Sequence, residues 1–417
     1  MNKKCKFLPL GSWRRNLQQT GIPCDYMTLS DHLDMVGLIL MATWAKTKKA
    51  NGDVLQSKIK NTVNPWKAGK FLPITQRGWS LNTYALSKVW FKAKSVDLRV
   101  GDITSITSSC KSWLYQDMFF KPEEMLLHRP PSYGGLGLHS VKYKALAGFI
   151  STFMQTAANP AFQPNLLHQL LYRKHVLLDD DVPGVPNQLP PYLNPELFNI
   201  IRKAKNNSKL SITNMSEGDW TRYLTEEFVT MESDGENSSK FRTSRAELAC
   251  PDNDWELSWY LARQPGVPPE LSSFLWKMLL DLLCTQQKLN RIGTANSPLC
   301  KLCKTETGSL AHELILCSSN NSIGTKLLSA LQTYSPSMTT DSLLHLNLAD
   351  ISTEQQLPVT LLVASTLSSI WKERTTRSRV CPYKVRSELE QTINLLRTTR
   401  LATVAVSLNS MLEQMFQ

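Results

Sequence analysis

Apolar positions along the chain recur mostly at helical spacing, with short extended stretches near the start. Met27 to Ala45 carries apolar residues suited to one or two short strands, and an Asn51-Gly52 turn is expected to lead into a helix over 53–60. From Trp79 onward, Leu81, Tyr84, Ala85, Leu86, Val89 and Trp90 follow a period near 3.6, with Lys88 and Lys92 on the remaining face. This predicts an amphipathic helix with a basic side. A second helix is expected from Ile103 through Trp113 to Met118, before Pro122 interrupts the pattern.

The next segment, Gly134-Gly135-Leu136-Gly137-Leu138, must bend or pack closely, since three glycines would weaken either a helix or a strand interior. A helix follows over 141–157, and the proline-rich stretch 179–195 reads as a linker. Ser233 to Ser239 is polar and reads as a surface loop, while Asp254 to Arg263 predicts a short helix. The clearest periodicity is Leu271, Phe274, Leu275, Met278, Leu279, Leu282 and Leu283, with Gly293 as its stop. Two further helices are expected over 357–371 and 385–412.

Composition narrows the class of protein. At 417 residues the chain exceeds the usual size of one compact core, and 42% hydrophobic with 20% charged residues excludes a disordered or collagen-like chain. The net charge of +12 creates a positive potential that attracts phosphate backbones or anionic membranes. Met1 to Trp13 lacks the apolar core of a signal peptide, and the apolar run from Val36 to Ala45 falls well short of the roughly 20 residues that cross a bilayer. An intracellular protein, nuclear or cytoplasmic, with no membrane partner is therefore expected. Nine cysteines in a chain of this size, without a secretory signal, argue for reduced thiols.

Three of those cysteines cluster. Cys300-Lys301-Leu302-Cys303 is a short CxxC turn that can direct two thiolates at one tetrahedral ion, and His312 and Cys317 complete C-x2-C-x8-H-x4-C. Three thiolates and one imidazole fill every position of a zinc ion, so the expected Zn2+ is structural. A redox CxxC would instead open a helix within a βαβ unit, which the flanking sequence does not supply.

The residues around this cluster carry a resemblance. Phe274-Leu275-Trp276-Lys277, then Leu282, Thr285, Leu289 and Ile292, then Ser297 to Cys303, Leu310 to Glu313 and Cys317 resemble the zinc-binding segment behind the polymerase of non-LTR (LINE-type) retrotransposon reverse transcriptases. Upstream, Trp66 to Lys70, Arg77 to Trp90 and Gly134 to Leu138 are similar, in the same order, to the thumb and post-thumb signatures of those enzymes. His32-Leu33-Asp34-Met35-Val36-Gly37 resembles the last palm strand leading to the thumb.

The resemblance implies a mainly α, multi-domain protein with a short N-terminal strand pair. It divides the chain into a palm-edge and thumb-like region over 1–120, a helical post-thumb region over 121–265, a zinc-binding module over 266–320 and a helical C-terminal region over 321–417. It also implies sequence-tolerant binding of RNA or DNA, with Lys67, Lys70, Arg77, Lys88 and Lys92 near the phosphates of a template and primer duplex and Arg291, Lys301 and Lys304 flanking the zinc turn. The catalytic palm is expected upstream of Met1. Two-metal polymerase chemistry needs paired carboxylates, normally in an aromatic-X-Asp-Asp turn. Tyr115-Gln116-Asp117-Met118 lacks the second Asp, and Leu178-Asp179-Asp180-Asp181 lacks the aromatic residue. The chain is therefore expected to have no polymerase activity of its own. The alternative is a domesticated or relic scaffold that binds proteins and has no nucleic-acid role.

Overall fold

The computed structural model describes residues 5–8, 27–68, 72–116, 118–158, 195–206, 212–230, 244–320, 322–376 and 380–416. The expected linker over 179–195 falls outside them except at Pro195, and the loop Ser233 to Ser239 lies wholly outside. The protein is mainly helical, with short strands at the N-terminus. Its chain forms two compact units that alternate along the sequence: 1–70, 79–116 and 138–241 make the first, and 71–78, 117–137 and 242–417 the second.

In the first unit, β1 (Cys5–Phe7) pairs in parallel with β2 (Met27–Leu29), and β3 (His32–Met35) pairs antiparallel with β4 (Leu38–Met41). The β3–β4 turn holds positive φ at both Val36 and Gly37, as a tight two-residue hairpin turn requires. Helix α1 (Trp44–Ala68) runs straight through the expected Asn51-Gly52 turn. Both residues have tertiary tasks there. The Asn51 amide donates to the Ile39 carbonyl at 2.7 Å and accepts from the Ile39 N–H at 3.1 Å, tying the hairpin to the helix. Gly52 faces Asp102 so closely that a Cβ would lie 2.3 Å from its carboxylate.

The helical run after residue 73 consists of α2 (Ile74–Ser80), a π-helical segment (Leu81–Leu86) and α3 (Ser87–Ala93). Leu81, Ala85, Leu86 and Val89 are buried as the periodicity predicts, but Tyr84 is exposed and Lys92 is buried. The Lys92 ammonium donates to Asn51 Oδ1 at 3.0 Å, completing the clamp on the hairpin, and burial followed by repulsion from Lys58 lowers its pKa. Helix α4 (Val100–Leu114) ends before Met118; Asp102, held by Arg99, caps its first turn. Helices α6 (Val141–Ala158), α7 (Pro195–Asn206) and α8 (Glu217–Thr225) enclose a second apolar cluster containing Ile150, Phe153, Leu197, Ile201 and Trp220.

The second unit contains α5 (Glu124–His128), α9 (Arg245–Ala249), α10 (Trp255–Arg263), α11 (Pro269–Leu279), α12 (Gln286–Arg291), α13 (Ile323–Gln332), α14 (Thr340–Leu344), α15 (Thr353–Thr376), α16 (Pro382–Arg397) and α17 (Ala402–Phe416). Helix α11 stops at Leu279, short of Leu282 and Leu283, because Asp281 turns the backbone to positive φ. The single helix expected over 385–412 is two, α16 and α17, broken between them. Helix α15 is the centre: residues 358–370 are all buried, and small Ser and Thr side chains let neighbouring helices approach while bonding back to their own turn, as Thr360 does to Gln356 O at 2.7 Å.

Two separated sequence motifs meet in this unit. The Trp276 indole N–H donates to Gly134 O at 2.7 Å, and Trp259 covers Gly134 so tightly that a Cβ would lie 2.5 Å from its ring. At Gly135 a Cβ would fall 1.8 Å from Arg129 O. Arg129 in turn forms a buried ion pair with Glu247 at 3.0 Å.

Candidate metal centre

The zinc knuckle begins as a tight hairpin between Leu299 and Thr307, which form an isolated antiparallel bridge. Cys300 N–H donates to Glu306 O at 2.7 Å, Lys304 N–H returns to Cys300 O at 2.9 Å, and Lys304 takes a left-handed conformation to close the loop. This geometry turns both cysteine side chains to the same side. The second ligand pair comes from a π-helical turn over His312–Leu316, in which Cys317 N–H donates to His312 O at 2.8 Å. On an α-helix, residues five apart point about 140° away from each other. The wider π-turn brings His312 and Cys317 onto one side, and the H-x4-C spacing requires this.

The four ligand atoms lie within 4.8 Å of one another. Cys300 Sγ and Cys317 Sγ are 3.7 Å apart, and Cys303 Sγ is 3.2 Å from His312 Nε2. A tetrahedral zinc with Zn–S of about 2.3 Å sets its sulfurs about 3.8 Å apart, so the donor set fits that ion. His312 presents Nε2 to the site because Nδ1 is engaged by Glu306 at 3.0 Å, the carboxylate partner that orients a metal-binding imidazole. Cys300, Cys317 and His312 are buried, and Cys303 is partly covered. Without an ion, burial pushes the Cys317 thiol up to about 12, reinforced by the neighbouring Cys300 and Cys303. At Cys303 burial acts in the same direction, but hydrogen bonds from the Thr305 hydroxyl, the Thr305 and Glu306 N–H groups and His312 outweigh it and bring the thiol down to about 6.

The centre is tied into its unit by a residue to which sequence reasoning gave no role. Glu313, next to the ligand His312, is fully buried and pairs with Arg374 of α15 at 2.6 Å, while its Oε1 also accepts the Gln286 N–H at 2.9 Å. Burial raises its pKa against the opposing pull of Arg374. Arg374 lies over the Trp371 ring at 4.8 Å. Gly308 leaves room for this arrangement: a Cβ there would lie 2.5 Å from Glu313 Oε1. An acid directly after a zinc ligand is the signal that could have drawn notice to Glu313, whereas nothing local points to Arg374, 61 positions later.

The expected nucleic-acid residues divide. Arg291, Lys301 and Lys304 are exposed, as are Lys67 and Lys88, the last donating to Thr62 Oγ1 at 2.6 Å. Lys70 lies outside the described residues. Arg77 and Lys92 are buried, and Arg77 Nε donates to Leu72 O at 2.7 Å, so these two side chains serve the interior instead of facing phosphate. Arg291 also lines a cavity of about 600 Å3 with Lys121, Arg245 and Lys288.

Fold and site together define a mainly helical protein with a Cys3His structural zinc centre. Residues 239–323 match the family described as zinc-binding in reverse transcriptase, which relates this part of the chain to a reverse-transcriptase zinc-binding region. No curated protein matches the chain. Among the described residues no helix is long and apolar enough to cross a membrane.

Proposed function

We propose that this chain is a nucleic-acid-binding part of a LINE-type retrotransposon reverse transcriptase, with thumb-like and zinc-binding segments and without polymerase activity of its own. The zinc centre carries this reading: it matches a reverse-transcriptase segment and holds Lys301 and Lys304 exposed on a rigid turn. The net charge of +12 favours a polyanion partner, and cations on a metal-braced loop meet phosphates without reading sequence. Zinc supports the fold; with all four positions filled by protein, it has no place for a reacting water.

The reading is tested by binding of a structured RNA and a DNA duplex across a salt series. Each phosphate neutralised contributes roughly 0.7 to 0.9 to the log-log slope. The expected result is a steep slope that becomes shallower in Lys301→Ala/Lys304→Ala and weaker binding in Cys300→Ser. Absence of binding by folded, zinc-loaded protein refutes nucleic-acid binding and favours the scaffold, and primer extension by the purified chain refutes the lack of polymerase activity.

A further inference from the structure

The helical run after residue 78 carries three large aromatic side chains on its open side. Trp79 is 60% exposed, Tyr84 54% and Phe91 52%, although aromatic residues are ordinarily drawn into the core. Thr83, Ser87 and Lys88 lie between them and are exposed too, while Leu81, Ala85, Leu86 and Val89 are buried on the opposite side.

The alignment depends on the π-helical segment. In an uninterrupted α-helix Tyr84 and Phe91, seven positions apart, would share a face, but Trp79 would point about 140° away from Tyr84. The wider turn over Leu81–Leu86 brings Trp79 to the side of Tyr84, and its ring meets Tyr84 edge-on with centroids 5.8 Å apart. The stripe continues at Phe91 toward the β3–β4 turn, where a Cβ on Gly37 would lie 4.0 Å from the Phe91 ring and Met35 and Val36 are exposed. From Trp79 to Phe91 the stripe is about 18 Å long at 1.5 Å per residue.

Its charge selects the partner. From Val54 to Val96 the sequence contains no Asp or Glu, while Lys58 and Lys88 are exposed within that span. Aromatic faces spaced along a helical run that carries lysines and no carboxylate of its own suit unpaired bases on a phosphate backbone, because every base offers a π-face and every phosphate a charge. We infer that Trp79, Tyr84 and Phe91, with Lys88, form a stacking platform for a single-stranded segment of RNA or DNA. The inference rests on the nucleic-acid reading proposed above and adds what that reading leaves open: a preference for unpaired strands, located in the first unit and separate from the zinc turn.

The test uses full-length, zinc-loaded protein with a short oligothymidine strand and a DNA duplex of equal length, comparing wild type with Trp79→Ala/Tyr84→Ala and Trp79→Phe/Tyr84→Phe. Loss of stacking is expected to weaken single-strand binding by about ten- to a hundredfold with little effect on the duplex or on the salt slope, and the phenylalanine variant to recover most of the affinity. The residues are exposed, so thermal melting should remain unchanged. Equal single-strand binding by wild type and the alanine variant overturns the platform and leaves the broader reading standing. Failure of wild type to bind either nucleic acid overturns both. Concentration-dependent self-association that the alanine variant abolishes, with single-strand binding unchanged, assigns the stripe to a second copy of this chain instead.

Discussion

Glu313 and Arg374 place opposite charges inside the second unit, where neither can be hydrated. Removing one partner strands the other, which costs about 3–5 kcal/mol, whereas replacing both with apolar side chains of similar volume costs much less. Urea unfolding should therefore show a large loss of stability for Glu313→Gln and a smaller one for Glu313→Leu/Arg374→Met. A second residue-scale effect concerns acidity. The Cys303 thiol ionises near 6 in the folded zinc-free chain, against an ordinary value of 9.0. A depressed value means that the folded form gains stability as pH rises from about 6 to about 9, and that this contribution is lost as pH falls through 6. Alkylation of Cys303 in zinc-free protein should accordingly set in near pH 6, with Cys317 unreactive and zinc suppressing the reaction. The four ligands were legible because their spacing is local. Glu313–Arg374 was not, because a charge pair formed across 61 positions leaves no periodic trace.

At the scale of elements, the same device appears twice: a π-turn aligns His312 with Cys317 and another aligns Trp79 with Tyr84. A search for a 3.6-residue period misses both, since each puts residues five apart on one side. That is why Tyr84 reads from the sequence as one of the apolar face though it is exposed, whereas Lys92, three positions after Val89 in a regular α-helix, is buried at ordinary helical spacing and only its charge suggests the open face. The Asn51-Gly52 pair misled for a different reason. Its turn propensity is real, but the side-chain bonds of Asn51 to Ile39 and the close approach of Asp102 to Gly52 override it. Asn51→Ala should cost about 2–3 kcal/mol in denaturant unfolding, because it leaves Ile39 and Lys92 without their buried partner. The glycines at 134 and 135, in contrast, were readable as a close-packed turn, though not their partners Trp259 and Trp276. Gly135→Ala should destabilise by about 2–3 kcal/mol, with hydrogen exchange rising in α10 and α11, since the clash is with backbone and cannot be relieved by a rotamer.

For the whole molecule, the zinc centre belongs to the second unit and the apolar cluster around Phe153 and Trp220 to the first. Chelation should therefore expose amides of α12, the π-turn at His312 and the end of α15 to hydrogen exchange, through loss of the Glu313–Arg374 link, while the first unit keeps its protection. The alternation of the units along the chain has a consequence for synthesis. Gly134 must wait 142 residues for the indole that it binds. At roughly 5–20 residues per second, its turn emerges from a ribosome about 7 to 28 s before Trp276 has been made. Over that interval the segment 117–137 has no completed unit to join, so the nascent chain is most open to misassembly and most dependent on chaperones there. For the same reason, a fragment begun at residue 242 to isolate the zinc centre would lack both upstream strips of its own unit.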